Sequence, residues 1–66
     1  MAQEHVIRVL IADDYDILRS GLILALRPFP DIRIVGEAAT GEAAVEQCAT
    51  LHPHIILMDL IMPGMD

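Results

Sequence analysis

Three carboxylates could act together in this chain if the fold brings them to one edge. Asp13 and Asp14 close the apolar run in "VLIADDYD", and Asp59 closes the run in "IILMDLIMPGMD" just before a turn at Pro63-Gly64. A buried strand does not ordinarily end on a carboxylate with nothing to meet. Like charges a few ångströms apart repel by about 4 kcal/mol per pair at an effective dielectric near 20. Such a trio persists when a cation sits among the carboxylates or when some of them stay protonated. A hard divalent ion with oxygen ligands, Mg²⁺ above all, fits best, because it uses one or two carboxylates and leaves room for phosphate oxygens. The plainer alternative is that Asp13, Asp14 and Asp16 only cap the helix that follows. The doublet combined with a strand-terminal Asp59 and a Met-Pro-Gly turn favours the metal-binding reading.

Positioning these acids is the task of the flanking elements. Val6 to Ala12, "VIRVLIA", is a β-branched apolar run interrupted only by Arg8, and its pattern predicts a strand buried on both faces. Asp16 is the expected N-cap of "ILRSGLILALR", in which Leu18, Leu22, Ala25 and Leu26 recur at helical spacing. That spacing turns Arg19 and Arg27 to other faces, and Pro28 and Pro30 stop the helix. Ile32 to Ala38, "IRIVGEA", reads as an edge strand because Arg33 and Glu37 interrupt it. Thr40 is the expected cap of a second helix from Gly41 to about Leu51, which Pro53 breaks. Ile55 to Met58 is a third, fully apolar strand.

Strand, helix, strand, helix, strand is the order that results. Helical crossovers join parallel strands, and they do so right-handedly. The class is therefore α/β in three layers, and ligands of such sheets collect at the carboxyl ends of the strands. If the first and third strands are neighbours, Asp13, Asp14 and Asp59 converge there.

Composition narrows the remaining options. The chain has 66 residues and a formal charge of -6, which disfavours direct contact of this segment with nucleic acid or an anionic membrane. Its single cysteine, Cys48, cannot form an internal disulfide, suits a reducing compartment and reads as a small buried thiol in an Ala-rich helix. No signal peptide or membrane-spanning run is indicated, so the expected setting is the cytoplasm. His5, His52 and His54 are too scattered for a metal site and read as solvated loop residues. Met58 and Met62 read as packing residues, Gly21 as a point of close helix packing, and Ile23 as an exposed apolar side chain that could mark a contact surface. No phosphate-loop or dinucleotide fingerprint is present.

With these elements in place, "VLIADD", "GEAATGEAAVE" and "HIILMDLIMPGMD" resemble the receiver domain of bacterial two-component response regulators, over nearly the whole chain from Ile7 to Asp66. "LRSGLILAL" followed by "PDIRIVGEA" is most similar to the branch with a LuxR-type helix-turn-helix output domain. The resemblance implies a flavodoxin-like parallel sheet, of which residues 1–66 form the N-terminal half with strand order 2-1-3. It implies that Asp59 accepts a phosphoryl group from a sensor histidine kinase. It also implies that Mg²⁺ is held by Asp14, Asp59 and the backbone carbonyl of Ile61, with Asp13 acting through water. DNA would be reached only through an output domain, and the module itself would not be an enzyme. The family's hydroxyl residue on a fourth strand and its lysine on a fifth fall beyond Asp66. Tyr15-Asp16 also depart from the His-Pro-like pair more usual in this branch.

Two alternatives stay open. One is a degenerate receiver used only for protein contacts. The other is a metal-dependent phosphotransferase or hydrolase with an aspartyl nucleophile, which Ile61 disfavours because such enzymes place a second acid there. The third strand, left with an open edge, is also expected to invite self-association.

Overall fold

The computed structural model describes residues 5–58. It contains β1 (Ile7–Ala12), α1 (Asp16–Leu26), β2 (Ile32–Ala38), α2 (Gly41–Leu51) and β3 (Ile55–Met58). The three strands form one sheet in the order β2-β1-β3, with both pairings parallel, as the helical crossovers predict. β1 is central, and its last four residues are shielded on both faces: Leu10, Ile11 and Ala12 are fully buried, and Val9 is nearly so. An uninterrupted apolar run is what such a position requires.

Arg8, the one polar residue inside this strand, is accounted for by its contacts. Its guanidinium donates to the Leu51 carbonyl at the end of α2, where a cation also opposes the negative end of the helix dipole. Its backbone N–H donates to His54 Nδ1 at 3.0 Å, and its carbonyl accepts from the His54 N–H at 2.8 Å. His54 is therefore not merely a solvated loop residue. It locks the start of β3 to β1 at the sheet edge opposite the acids.

The helices lie on opposite faces, and a bulge in β2 sets which side chains meet them. Val9 pairs with Ile34 but Leu10 pairs with Gly36, so Val35 is an extra residue. A single inserted residue reverses the alternation of everything after it. Ile32 and Ile34 thus face α1, Gly36 and Ala38 face α2, and Glu37 returns to the α1 side. Gly36 is needed for this arrangement. A Cβ there would stand 2.8 Å from Leu51 Cδ1 and 3.1 Å from Leu10 Cδ1, and it would collide with the Gln47 side chain as well. On the α2 side, Ala12, Ala38 and Ala44 form a buried cluster with Ala43 and Met58 packed against it.

α2 begins as its sequence predicts, with the Thr40 hydroxyl accepting from the Ala43 N–H at 3.1 Å. It ends at His52, whose φ of 51° places it in the left-handed region. Cys48, expected to be buried, is half-buried. α1 departs from expectation in two respects. Its N-cap is Tyr15, without a side-chain cap, and Asp16 is the first helical residue. The Asp16 carboxylate is turned to Arg19 at 2.6 Å instead of to a backbone N–H. The inward face also differs, because Arg19, Leu22, Ile23 and Leu26 are half-buried whereas Leu18 and Ala25 are exposed. Ile23 is consequently a packing residue over β2, and among the described residues nothing lies within 4 Å of where a Cβ on Gly21 would stand, so Gly21 is not a point of close helix packing there. Among the described residues no helix is long and apolar enough to cross a membrane.

Candidate functional site

The carboxyl end of β1 carries the acidic doublet. Asp13 is 5% exposed and is fixed by every part of its structure. Its N–H donates to the Ala38 carbonyl at 2.9 Å, which extends the β1–β2 ladder by one residue. Its carboxylate Oδ1 accepts from the Tyr15 N–H at 2.8 Å, an Asx-type turn that reverses the chain after the strand. Its carbonyl accepts from Arg19 Nη1 at 2.5 Å. Asp14, the next residue, is exposed and projects from this pinned turn.

Arg19 ties the site to the elements around it. Nη2 donates to Asp16 Oδ1 at 2.6 Å, and Nε donates to Glu37 Oε1 at 3.1 Å. These acceptors hold the guanidinium pKa above its ordinary value, Asp16 contributing most and Glu37 next. Arg19 and Glu37 are the functional candidates that sequence reasoning missed. The guanidinium lies under the site, and it addresses the Asp13 main chain, not the Asp13 or Asp14 carboxylates. Among the described residues those two carboxylates have no ion-pair partner.

Asp13 also heads a cleft lined by Leu18, Leu22, Leu57 and Met58, which runs between α1 and β3. The structure brings the doublet to the carboxyl edge, beside the end of β3, with Ala12 opposite Met58. The other predicted site residues, Asp59 and the Ile61 carbonyl, lie outside the described residues, as do Pro63 and Gly64. Among the described residues no group of three His, Cys, Asp or Glu side chains could hold a metal ion.

Comparison with known proteins decides the family. The model of the response regulator receiver domain matches residues 9–66. This chain belongs to that family. The transcriptional regulatory protein LiaR of Bacillus subtilis is 48% identical over 60 residues, covering 91% of this chain and 28% of LiaR. The nitrate/nitrite response regulator NarL of Escherichia coli K12 is 41% identical over 66 residues, covering all of this chain and 31% of NarL. Among solved structures, the signal receiver domain of the putative response regulator NarL from Mycobacterium tuberculosis superposes with a TM-score of 0.89 at 39% identity. That match covers 94% of this chain and 50% of the solved one. The chain spans less than a third of the length of these curated relatives. The flavodoxin-like fold with strand order 2-1-3 is that of these receivers, and LiaR and NarL accord with the resemblance to the LuxR-type branch.

Proposed function

We propose that residues 1–66 form the N-terminal half of a receiver that accepts a phosphoryl group on Asp59 from a sensor histidine kinase. In this reading the receiver is a cytoplasmic signalling module, not itself an enzyme, and it controls a LuxR-type DNA-binding output domain. One observation carries it. β1 and β3 are parallel neighbours with Ala12 opposite Met58, and the next residues in sequence are Asp13 and Asp59. A strand continuing in register would bring the acceptor carboxylate beside the doublet.

The chemistry is direct displacement at phosphorus. A carboxylate oxygen of Asp59 forms a bond to phosphorus as the N–P bond of the kinase phosphohistidine breaks, and the imidazole nitrogen leaves with the electron pair. The products are an aspartyl phosphate and a free histidine. The donor set suits Mg²⁺: the doublet offers hard carboxylate oxygens, and the nearby cation, Arg19, is engaged with the Asp13 carbonyl, Asp16 and Glu37. Asp14 and Asp59 would ligate the ion directly together with the Ile61 carbonyl, and Asp13 would act through water. When bound, the ion neutralises charge that develops on the transferring group. The chain's own residues hold the geometry, since the Asx-type turn fixes Asp13 and directs Asp14 outward from the strand end.

The test is phosphorylation of an intact receiver carrying this sequence by a small phosphodonor. Wild-type protein should be labelled only with Mg²⁺ present, and Asp59→Asn should not be labelled. Asp14→Ala should weaken Mg²⁺ binding more than Asp13→Ala. Equal labelling of Asp59→Asn would remove Asp59 as the acceptor. A wild-type receiver that is never labelled would instead be a degenerate one used for contacts.

A further inference from the structure

Arg19 bridges β1, α1 and β2 with the hydrogen bonds of one side chain. It bonds the Asp13 carbonyl at the end of β1, Asp16 in the first turn of α1, and Glu37 in β2, each through a different nitrogen. Its side chain is 15% exposed, whereas those of Asp16 and Glu37 are 82% and 51% exposed. The two ion pairs are therefore of the screened, surface kind and contribute little to stability singly. What they fix is direction. The Asp13 carbonyl belongs to the peptide that joins Asp13 to Asp14, so holding its oxygen sets the plane from which Asp14 departs. Glu37 can reach the guanidinium only because the bulge at Val35 returns it to the α1 face. Had the same residues run on in regular alternation, with Val35 taken into the ladder, Glu37 would face α2 and one leg of the fork would be missing.

We propose that Arg19 is a positioning residue for the Mg²⁺ site, with Glu37 as its anchor in β2: the guanidinium orients the Asp13–Asp14 peptide and so presents Asp14 to the ion. The metal half of this statement rests on the proposed function above; the orientation half does not. The planar fork is essential to it. Three acceptors in three directions match Nε, Nη1 and Nη2, and a lysine ammonium on a flexible stem cannot hold all three in one geometry. A partner standing behind a metal ligand typically contributes tenfold or more in metal affinity.

Two measurements on an intact receiver carrying this sequence test the two halves separately. The first is Mg²⁺ titration followed by the backbone amide shifts of Asp14 and Tyr15. Arg19→Gln should raise the apparent Kd about tenfold, the low end for such partners, and Arg19→Lys should recover little of the loss. Glu37→Gln should give a smaller change in the same direction. The second is hydrogen exchange at the Tyr15 N–H without metal, which reads the turn directly. Exchange should quicken in Arg19→Gln and Arg19→Lys, while amides in the middle of β1 keep wild-type protection. An unchanged Kd in both Arg19 variants, with wild type binding normally, overturns the proposal. Loss of protection throughout β1 in both variants also overturns it, since Arg19 would then only support the fold. If wild type itself does not respond to Mg²⁺, the metal reading fails and the proposal as stated fails with it. Exchange at Tyr15 then still shows whether the guanidinium orients the turn.

Discussion

At the residue scale, the two acids of the doublet do different work although they are neighbours. Asp13 is buried and its Oδ1 holds the Tyr15 N–H, so its shape matters to the fold as well as its charge. Asp14 is exposed and makes no such bond among the described residues. Without metal, Asp13→Asn keeps an acceptor for the Tyr15 N–H and sheds a charge beside Asp14. Asp13→Ala loses both. The asparagine variant should therefore be more stable than the alanine variant by about 1 kcal/mol, the net worth of one hydrogen bond. Asp14→Ala should stay within about 0.5 kcal/mol of wild type, as surface substitutions do. Urea melts in the presence of a chelator check the order, and an alanine variant equal to the asparagine one would show that the turn does not depend on Oδ1. The doublet was legible in the sequence because acids that end an apolar run have few structural uses. Arg19 was not, because helical periodicity assigns a charged residue to the outward face. Periodicity carries no information about three oxygen acceptors supplied by β1, α1 and β2.

At the element scale, what could be read from sequence follows how local the determining chemistry is. α2 begins where Thr40 predicts, since a hydroxyl reaching the N–H three residues on involves only its own turn. α1 begins otherwise than Asp16 predicts, since Asp13 has already taken the Tyr15 N–H and Arg19 has taken the Asp16 carboxylate. The helix is left without a side-chain cap at Tyr15. Tyr15→Ser should thus stabilise the protein by about 0.5–1 kcal/mol, while Thr40→Ala should cost about 1 kcal/mol, both values following from cap exchange. Thermal melts of the two variants should move in opposite directions. The bulge in β2 was also hidden, although Gly36 beside it was visible. Gly36→Ala places a methyl group against Leu51, Leu10 and Gln47. It should cost about 1–3 kcal/mol, the range for overpacking a filled site, with the largest loss of hydrogen-exchange protection where α2 meets β2. A Gly36→Ala protein as stable as wild type would mean that α2 can move off the sheet freely.

At the scale of the whole molecule, the described sheet has two edges of different character, β2 and β3. β2 is an edge strand with polar interruptions at Arg33 and Glu37, residues of the kind that discourage pairing with another chain. β3 has none. Among the described residues it pairs only with β1, and Ile55, Ile56 and Leu57 are 45%, 37% and 39% exposed. Their alternation directs Leu57 toward the cleft beside α1 and Ile56 toward the α2 face, so both sides of the strand remain apolar and partly uncovered. A short apolar strand whose outer edge has no partner among the described residues is a template for a second copy. The opposing effect is the net charge of -6, which repels an identical chain. Salt decides between the two, because at physiological ionic strength charges are screened beyond about 8 Å, while backbone pairing and apolar burial are not. The purified 66-residue segment should accordingly self-associate more strongly as salt rises, or else be unfolded at low salt. Leu57→Lys, a charge placed on the open strand, should prevent the association at every salt concentration. Sedimentation over a salt series with hydrogen exchange at residues 55–58 tests this, and a monomer with a fully protected β3 at both extremes would refute it.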